Sequence, residues 1–223
     1  MSKSFLGFDT DHSWNYENGF YLTSHVTRLS KMLAHYELYK MIVSLAGHVV
    51  ECGVYKGASL VRFATFREIL ESPYSRKIIG FDAFGRFPRN DGDAHDDAFI
   101  DRFSAEGGDG ISRDSLLQVL SHKGVENVEL IEGDICSTVP DYVAQHPELR
   151  IALLHIDVDV FRPTQVILDE MFARIVSGGL LVLDDYGTVN GETEAVDQFF
   201  EKTGKKVSIE KLSISHVPAY VRK

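Results

Sequence analysis

Three carboxylates stand where two apolar runs end. Asp157 closes Ile151-Ala152-Leu153-Leu154-His155-Ile156, and Asp184 and Asp185 close Leu180-Leu181-Val182-Leu183. Short runs this apolar read as strands buried on both faces. Between them Pro163 to Val176 reads as a helix and Ser177-Gly178-Gly179 as a turn. A strand, a crossover helix and a parallel strand bring both carboxyl ends to one edge of a sheet, so the three acids should meet. Clustered carboxylates repel one another unless a positive charge lies between them. A hard divalent cation with oxygen ligands is the natural occupant.

A second element supplies a binding turn. His48-Val49-Val50-Glu51-Cys52-Gly53-Val54-Tyr55-Lys56-Gly57-Ala58-Ser59 reads as a strand, a glycine-bearing turn and a helix start. Glycine lets a ligand approach the backbone closely. The spacing Glu-x-Gly-x-x-x-Gly is not the Gly-x-Gly-x-x-Gly that cradles a pyrophosphate. An acid before the first glycine repels phosphate and suits a cationic ligand such as S-adenosylmethionine. The candidate contacts are Glu51, Gly53, Val54, Tyr55 and Ser59; a plain strand-helix turn is the alternative.

Two further acids end short strands. Lys77-Ile78-Ile79-Gly80-Phe81 runs into Asp82, one helix after the first strand, where doubly wound folds place a ribose-binding acid. Asn127 to Asp134 is another such run, followed by Ile135. A lone strand-end Asp is more often a cap or turn former. Several at successive strand ends point to one crevice.

The segments ECGVYKGAS, GFDAFGRFP, LIEGDI, LLHIDVDVFRPT and GGLLVLDDYG, in that order, resemble the macrocin O-methyltransferase family from about Asn15 to Phe200. The resemblance implies an α/β class I methyltransferase fold. It also implies S-adenosylmethionine as donor, Mg²⁺ as cofactor and a sugar hydroxyl of a natural product or sugar precursor as acceptor. On that basis Glu51 and Gly53 line the methionine portion of the donor, Asp82 holds the ribose, and Asp134 and Ile135 face the adenine. Asp157, Asp184 and Asp185 hold the metal. Asp157 is also the expected catalytic base, placed to take the acceptor hydroxyl's proton beside the metal.

Strands expected near 48–54, 77–82, 127–132, 150–157 and 180–184 alternate with helices, which gives a mostly parallel Rossmann-like sheet. The tail from Lys206 to Arg222 reads as an antiparallel hairpin. Residues 1–47 form an N-terminal arm and helix. Leu22, Val26, Leu29, Leu33, Tyr36 and Val43 recur at helical spacing up to Gly47. This helix either packs on its own sheet or, as in the family, helps cover the site and form a homo-oligomer. Residues 48–223 form the methyltransferase domain. Within it 83–111 reads as a long loop over the crevice, a lid hinged on its glycines. The lid acids Asp91, Asp93, Asp96 and Asp97 read as solvated. His95 is a reserve candidate for the base.

Smaller assignments follow from local context. His155 reads as a core residue, and Asp159 as a ligand, substrate contact or helix cap. Tyr186 and Arg162 are candidate substrate contacts, and Lys56 and Arg86 read as surface charges.

The chain has 223 residues, a net charge of −10 and two cysteines, Cys52 and Cys136, in no metal or redox spacing. One sizeable domain, a reduced cytoplasmic setting, no nucleic-acid partner and no membrane partner are the expectations. The N-terminus lacks a signal-peptide apolar stretch. The competing readings are a metal-dependent catechol or phenol methyltransferase, a nucleoside-binding domain without catalysis, and a nicotinamide dehydrogenase. Glu51 in place of the first glycine, and the tail hairpin, speak against the last.

Overall fold

The computed structural model describes residues 4–88, 94–204 and 206–223, with the backbone alone at 94 and 95. A small hairpin, β1 (Ser4–Phe5) and β2 (Phe8–Asp9), leads into α1 (Ser13–Thr23) and α2 (Val26–Lys40). The single helix expected from Leu22 is therefore two. The chain turns extended at Ser24 and His25, and the His25 ring accepts the Thr27 N–H to start α2. α1 buries none of its residues.

Seven strands form the main sheet: β3 (His48–Cys52), β4 (Ile78–Asp82), β5 (Val128–Glu132), β6 (Ile151–Ile156), β7 (Ile175–Leu183), β8 (Glu210–Lys211) and β9 (Ala219–Arg222). Their order is β5-β4-β3-β6-β7-β9-β8. β3 to β7 run parallel, and β8 and β9 close the sheet as the expected antiparallel hairpin. β7 starts before Ser177-Gly178-Gly179, which are strand rather than turn, because the chain end pairs there: Gly178 N–H donates to Lys223 O and Lys223 N–H to Gly179 O.

The remaining helices are α3 (Ala58–Leu70), α4 (Ala94–Gly107), α5 (Arg113–His122), α6 (Ile135–Gln145), α7 (Phe161–Met171) and α8 (Asn190–Thr203). Side chains alternate across each strand. Val49, Ile78, Leu153 and Val182 pack in one layer with residues of α2, α3 and α5. Val50, Ile79, Leu154 and Leu181 pack in the other with α6, α7 and α8. This two-sided burial explains why the strands read as unbroken apolar runs. Among the described residues no helix is long and apolar enough to cross a membrane.

α2 packs on its own sheet, with Ala34, His35, Leu38 and Tyr39 buried. Arg76, itself buried, locks the chain just after it. Its Nη2 donates to the carbonyls of Ile42 and Leu45, both at 3.1 Å, while its guanidinium pairs with Glu71 at 2.8 Å. The stretch 83–111, expected to be a loop, holds α4. Asp96, read as solvated, is buried, and its carboxylate accepts the Phe161 N–H at the start of α7 (3.1 and 3.2 Å). Asp91, Asp93 and the His95 side chain lie outside the described residues.

Candidate active site

The carboxyl ends of β3, β4, β6 and β7 open on one cavity of about 440 Å³, the size of a small-ligand site. The strand order reverses between β3 and β6, where open α/β sheets place their crevice. Gly53, Val54, Tyr55, Ser59, Asp82, Asp134, Ile135, Asp157, Asp184 and Asp185 all line it.

The turn after β3 is built around Asp82. Its Oδ2 accepts the N–H groups of Val54 (2.7 Å) and Tyr55 (3.0 Å), and its Oδ1 accepts that of Phe84 (2.6 Å). Gly53 has φ +91°, and a Cβ there would lie 1.8 Å from the Asp157 carbonyl oxygen. Glycine is needed because the ends of β3 and β6 touch, not only to admit a ligand. Asp134 caps α6 through Cys136 N–H at 2.9 Å while still facing the cavity.

Asp157, Asp184 and Asp185 offer oxygen atoms within 4.8 Å of one another. Burial and the Asp184 charge push the Asp157 carboxyl well above the usual range, and raise that of Asp185. Asp184 moves the other way. Burial alone would raise it, but the hydrogen bond from His155, the nearby His35 ring and the charges of His155 and Lys31 pull it well below the usual range. Its Oδ1 faces His155 Nε2 at 3.3 Å and His35 Nε2 at 3.7 Å, while its Oδ2 is held by the Lys31 ammonium. Lys31 and His35 lie one turn apart on α2, so that helix reaches both oxygens of a single carboxylate.

Glu51 does not line the cavity. It is fully buried beside β6, its Oε1 2.9 Å from His155 Nδ1. Burial opposes the charge on His155, but bonds to Asp184 and Glu51 prevail and raise it to about 10. His155 is the expected core residue, but a charged one. His35, His155 and Asp184 also lie within metal-ligand reach of one another. A protonated His155 has no lone pair to give, so this trio is a packed group in which His155 alone hydrogen-bonds Asp184.

Asp159 also faces the cavity, and burial followed by the Asp185 charge raises it to about 8. It is not the cap of α7, whose N-cap is Val160. Lys56 and Arg86, read as surface charges, line the cavity, as do Arg28, Lys31 and Arg62.

The family model for macrocin O-methyltransferases matches residues 27–223. The chain belongs to the macrocin O-methyltransferase family. It is an S-adenosylmethionine-dependent O-methyltransferase with the class I fold. No match is found among curated proteins. Among solved structures it resembles CalS11, a calicheamicin methyltransferase, at 25% identity and a TM-score of 0.70, over 94% of this chain and 85% of that one. The apo structure of CalS11, described as a TDP-rhamnose 3′-O-methyltransferase, gives 25% identity and a TM-score of 0.66, over 94% and 86%. The O-methyltransferase NovP shares the fold at 20% identity and a TM-score of 0.75, over 87% and 80%.

In this methyltransferase the strand-end acids were legible from sequence, whereas the cationic side chains of α2 and α3 were not. The available signal was the Arg28, Lys31, His35 stripe at three- and four-residue steps, which runs beside the apolar one.

Proposed function

We propose that this enzyme methylates a hydroxyl of a sugar, free on a precursor or carried on a natural product, with Mg²⁺ held by Asp157, Asp184 and Asp185. One observation carries the reading: three carboxylates converge on the cavity beside the glycine turn, with Asp157 and Asp185 driven toward neutrality by burial and then by the charge of Asp184. An all-oxygen donor set fits a hard divalent ion better than zinc or copper. The donor supplies an electrophilic methyl, and Mg²⁺ at this cluster lowers the pKa of a hydroxyl beside it.

The chain's own residues divide the work. Asp157, at the end of β6, is the base that takes the hydroxyl proton. Its place at the strand end beside the glycine turn suits that task. Asp184, held anionic by His155 and Lys31, and Asp185 are ligands first. The Asp82-organised turn of Gly53, Val54 and Tyr55, with Ser59, borders the donor's amino-acid portion, Asp82 its ribose, and Asp134 and Ile135 its adenine. Glu51 acts on this region through His155 rather than by contact. α4 covers the cavity as a lid. The Tyr55 hydroxyl donates to Gly107 O at 2.6 Å and its ring meets Phe103 edge-on, so the donor turn and the cover touch.

The test is transfer of labelled methyl to a panel of sugar and phenol acceptors, with Mg²⁺ and with chelator. Sugar methylation that stops on chelation is expected. Turnover surviving exhaustive chelation removes the metal, and labelling confined to phenols removes the sugar.

A further inference from the structure

Arg28 on α2 and Arg62 on α3 both line the cavity. Neither guanidinium makes a hydrogen bond or ion pair among the described residues. They are close enough to repel: burial first and then the Arg28 charge lower the Arg62 guanidinium, while Glu51, Asp184 and Asp157 act on it favourably. The two buried acids among these already have cations of their own. Asp184 is taken by Lys31 and His155, and Glu51 by His155. Five cationic side chains line this one cavity in a chain of net charge −10. Two arginines on the wall of one cavity, neither with an ion-pair partner among the described residues, are the counterpart of carboxylates without a cation, and an anion relieves them.

We propose that Arg28 and Arg62 form an oxyanion subsite at the carboxylate-cluster end of the cavity, taking a carboxylate or phosphate group of a bound reactant. The location follows from the neighbours. Arg28 lies one turn before Lys31, which touches Asp184, and Arg62 lies one turn after Ser59 on the cavity wall. The planar fork of each guanidinium matches two oxygens of such a group, and forks from two helices can embrace one anion. The inference rests on the methyl-transfer reading, under which two reactants can bring the anion. One is the donor, through its amino-acid carboxylate; the other is an acceptor sugar still esterified to a nucleoside diphosphate.

Calorimetry on the full chain with three probes separates these sources: S-adenosylhomocysteine, 5′-methylthioadenosine (the same thionucleoside without the amino-acid end and its carboxylate), and thymidine diphosphate-glucose. Wild type is compared with Arg28→Gln and Arg62→Gln, each checked for an unchanged melting temperature. Arg28 is exposed, so that variant keeps the fold even if Arg62→Gln does not. A roughly tenfold or greater loss for S-adenosylhomocysteine with methylthioadenosine unchanged supports the subsite and names the donor carboxylate. The same loss confined to the nucleotide sugar supports it and names a phosphate. Equal loss for both adenosine probes, or no loss for any probe, overturns it. Failure of wild type to bind S-adenosylhomocysteine would instead sink the methyl-transfer reading, and the nucleotide-sugar arm would still decide the subsite.

Discussion

Asp184 Oδ1 and His155 Nε2 face each other across 3.3 Å with both side chains shut away from solvent. Behind the ring, Nδ1 meets Glu51 Oε1 at 2.9 Å, and Glu51 and His155 are direct partners in the β3–β6 register. One imidazole thus carries the orientation of a carboxylate from one strand to another. It occupies Oδ1 and leaves only Oδ2, which Lys31 meets, toward the cavity, as outer partners would aim the proposed metal ligand.

The division of labour between base and ligand is open to test. Asp184 is a poor choice, since Asp184→Asn strands His155 and Lys31 and should cost on the order of 3–5 kcal/mol in stability. Asp185→Asn is the cleaner ligand variant, and its activity should return in part at high Mg²⁺. Asp157→Asn should stay inactive at any Mg²⁺ concentration, with a rate lower by about 10²–10⁴. A full Mg²⁺ titration of each variant checks this, and recovery of Asp157→Asn would reduce Asp157 to a ligand.

Lys31 already sits on Asp184 Oδ2, and the charges of Asp157 and Asp185 act on it as well. A divalent ion entering the cluster must share that oxygen with an ammonium or displace it. Lys31→Met should therefore raise Mg²⁺ affinity by roughly tenfold, because like charges a few ångströms apart in a half-buried site repel by kilocalories. Calorimetric Mg²⁺ titration gives the answer. An unchanged or weaker affinity would mean the ammonium helps the metal rather than competing with it.

The two buried histidines should bend the pH–stability curve of the metal-free protein in opposite windows. Burial lowers His35 to about 4 from 6.5. The unfolded chain therefore takes up a proton near pH 6.5 that the folded chain refuses, and stability falls as pH drops from 6.5 to 4. The effect is on the order of 3 kcal/mol. His155 is raised to about 10. Its contribution is complete below pH 6.5 and is lost as pH climbs from there to about 10. Denaturant unfolding of wild type and His35→Gln across pH isolates the first window, and an unchanged acid slope in the variant would show that His35 is not its source.

α4 is tied down at both ends, by Asp96 on the start of α7 and by Tyr55 on Gly107. Asp96→Ala should leave the sheet intact and speed hydrogen exchange in residues 94–107. In wild type the same amides should gain protection when S-adenosylhomocysteine and an acceptor are both present. Identical exchange with and without ligands would make α4 a fixed wall instead of a lid.

Strand positions were legible because both faces of β3, β4, β6 and β7 are buried and the apolar runs are continuous. The strand-end acids followed from parallel connectivity. The rest was hidden for physical reasons. Sequence does not give register, so nothing indicated that Glu51 would stand opposite His155. A helix face turned toward a polar cavity looks like one turned toward water, so nothing singled out Arg28, Lys31 and Arg62, and Lys56 and Arg86 read as surface charges. α4 was concealed by acids and flanking glycines that read as loop, although Asp96 is there to cap a neighbouring helix.

The contact between Gly53 and the Asp157 carbonyl has a consequence for how this enzyme can change. Even one methyl at position 53 would lever the end of β6 and move the proposed base with the donor turn. The strand ends are thus mechanically a single part, and substitution there alters reactivity before it alters choice of acceptor. New acceptors are more readily admitted from the side chains of α2, α3 and α4, which overhang the cavity without being wedged into the sheet. Directed evolution toward another sugar should enrich changes on those helices and leave Gly53 and Asp157 fixed.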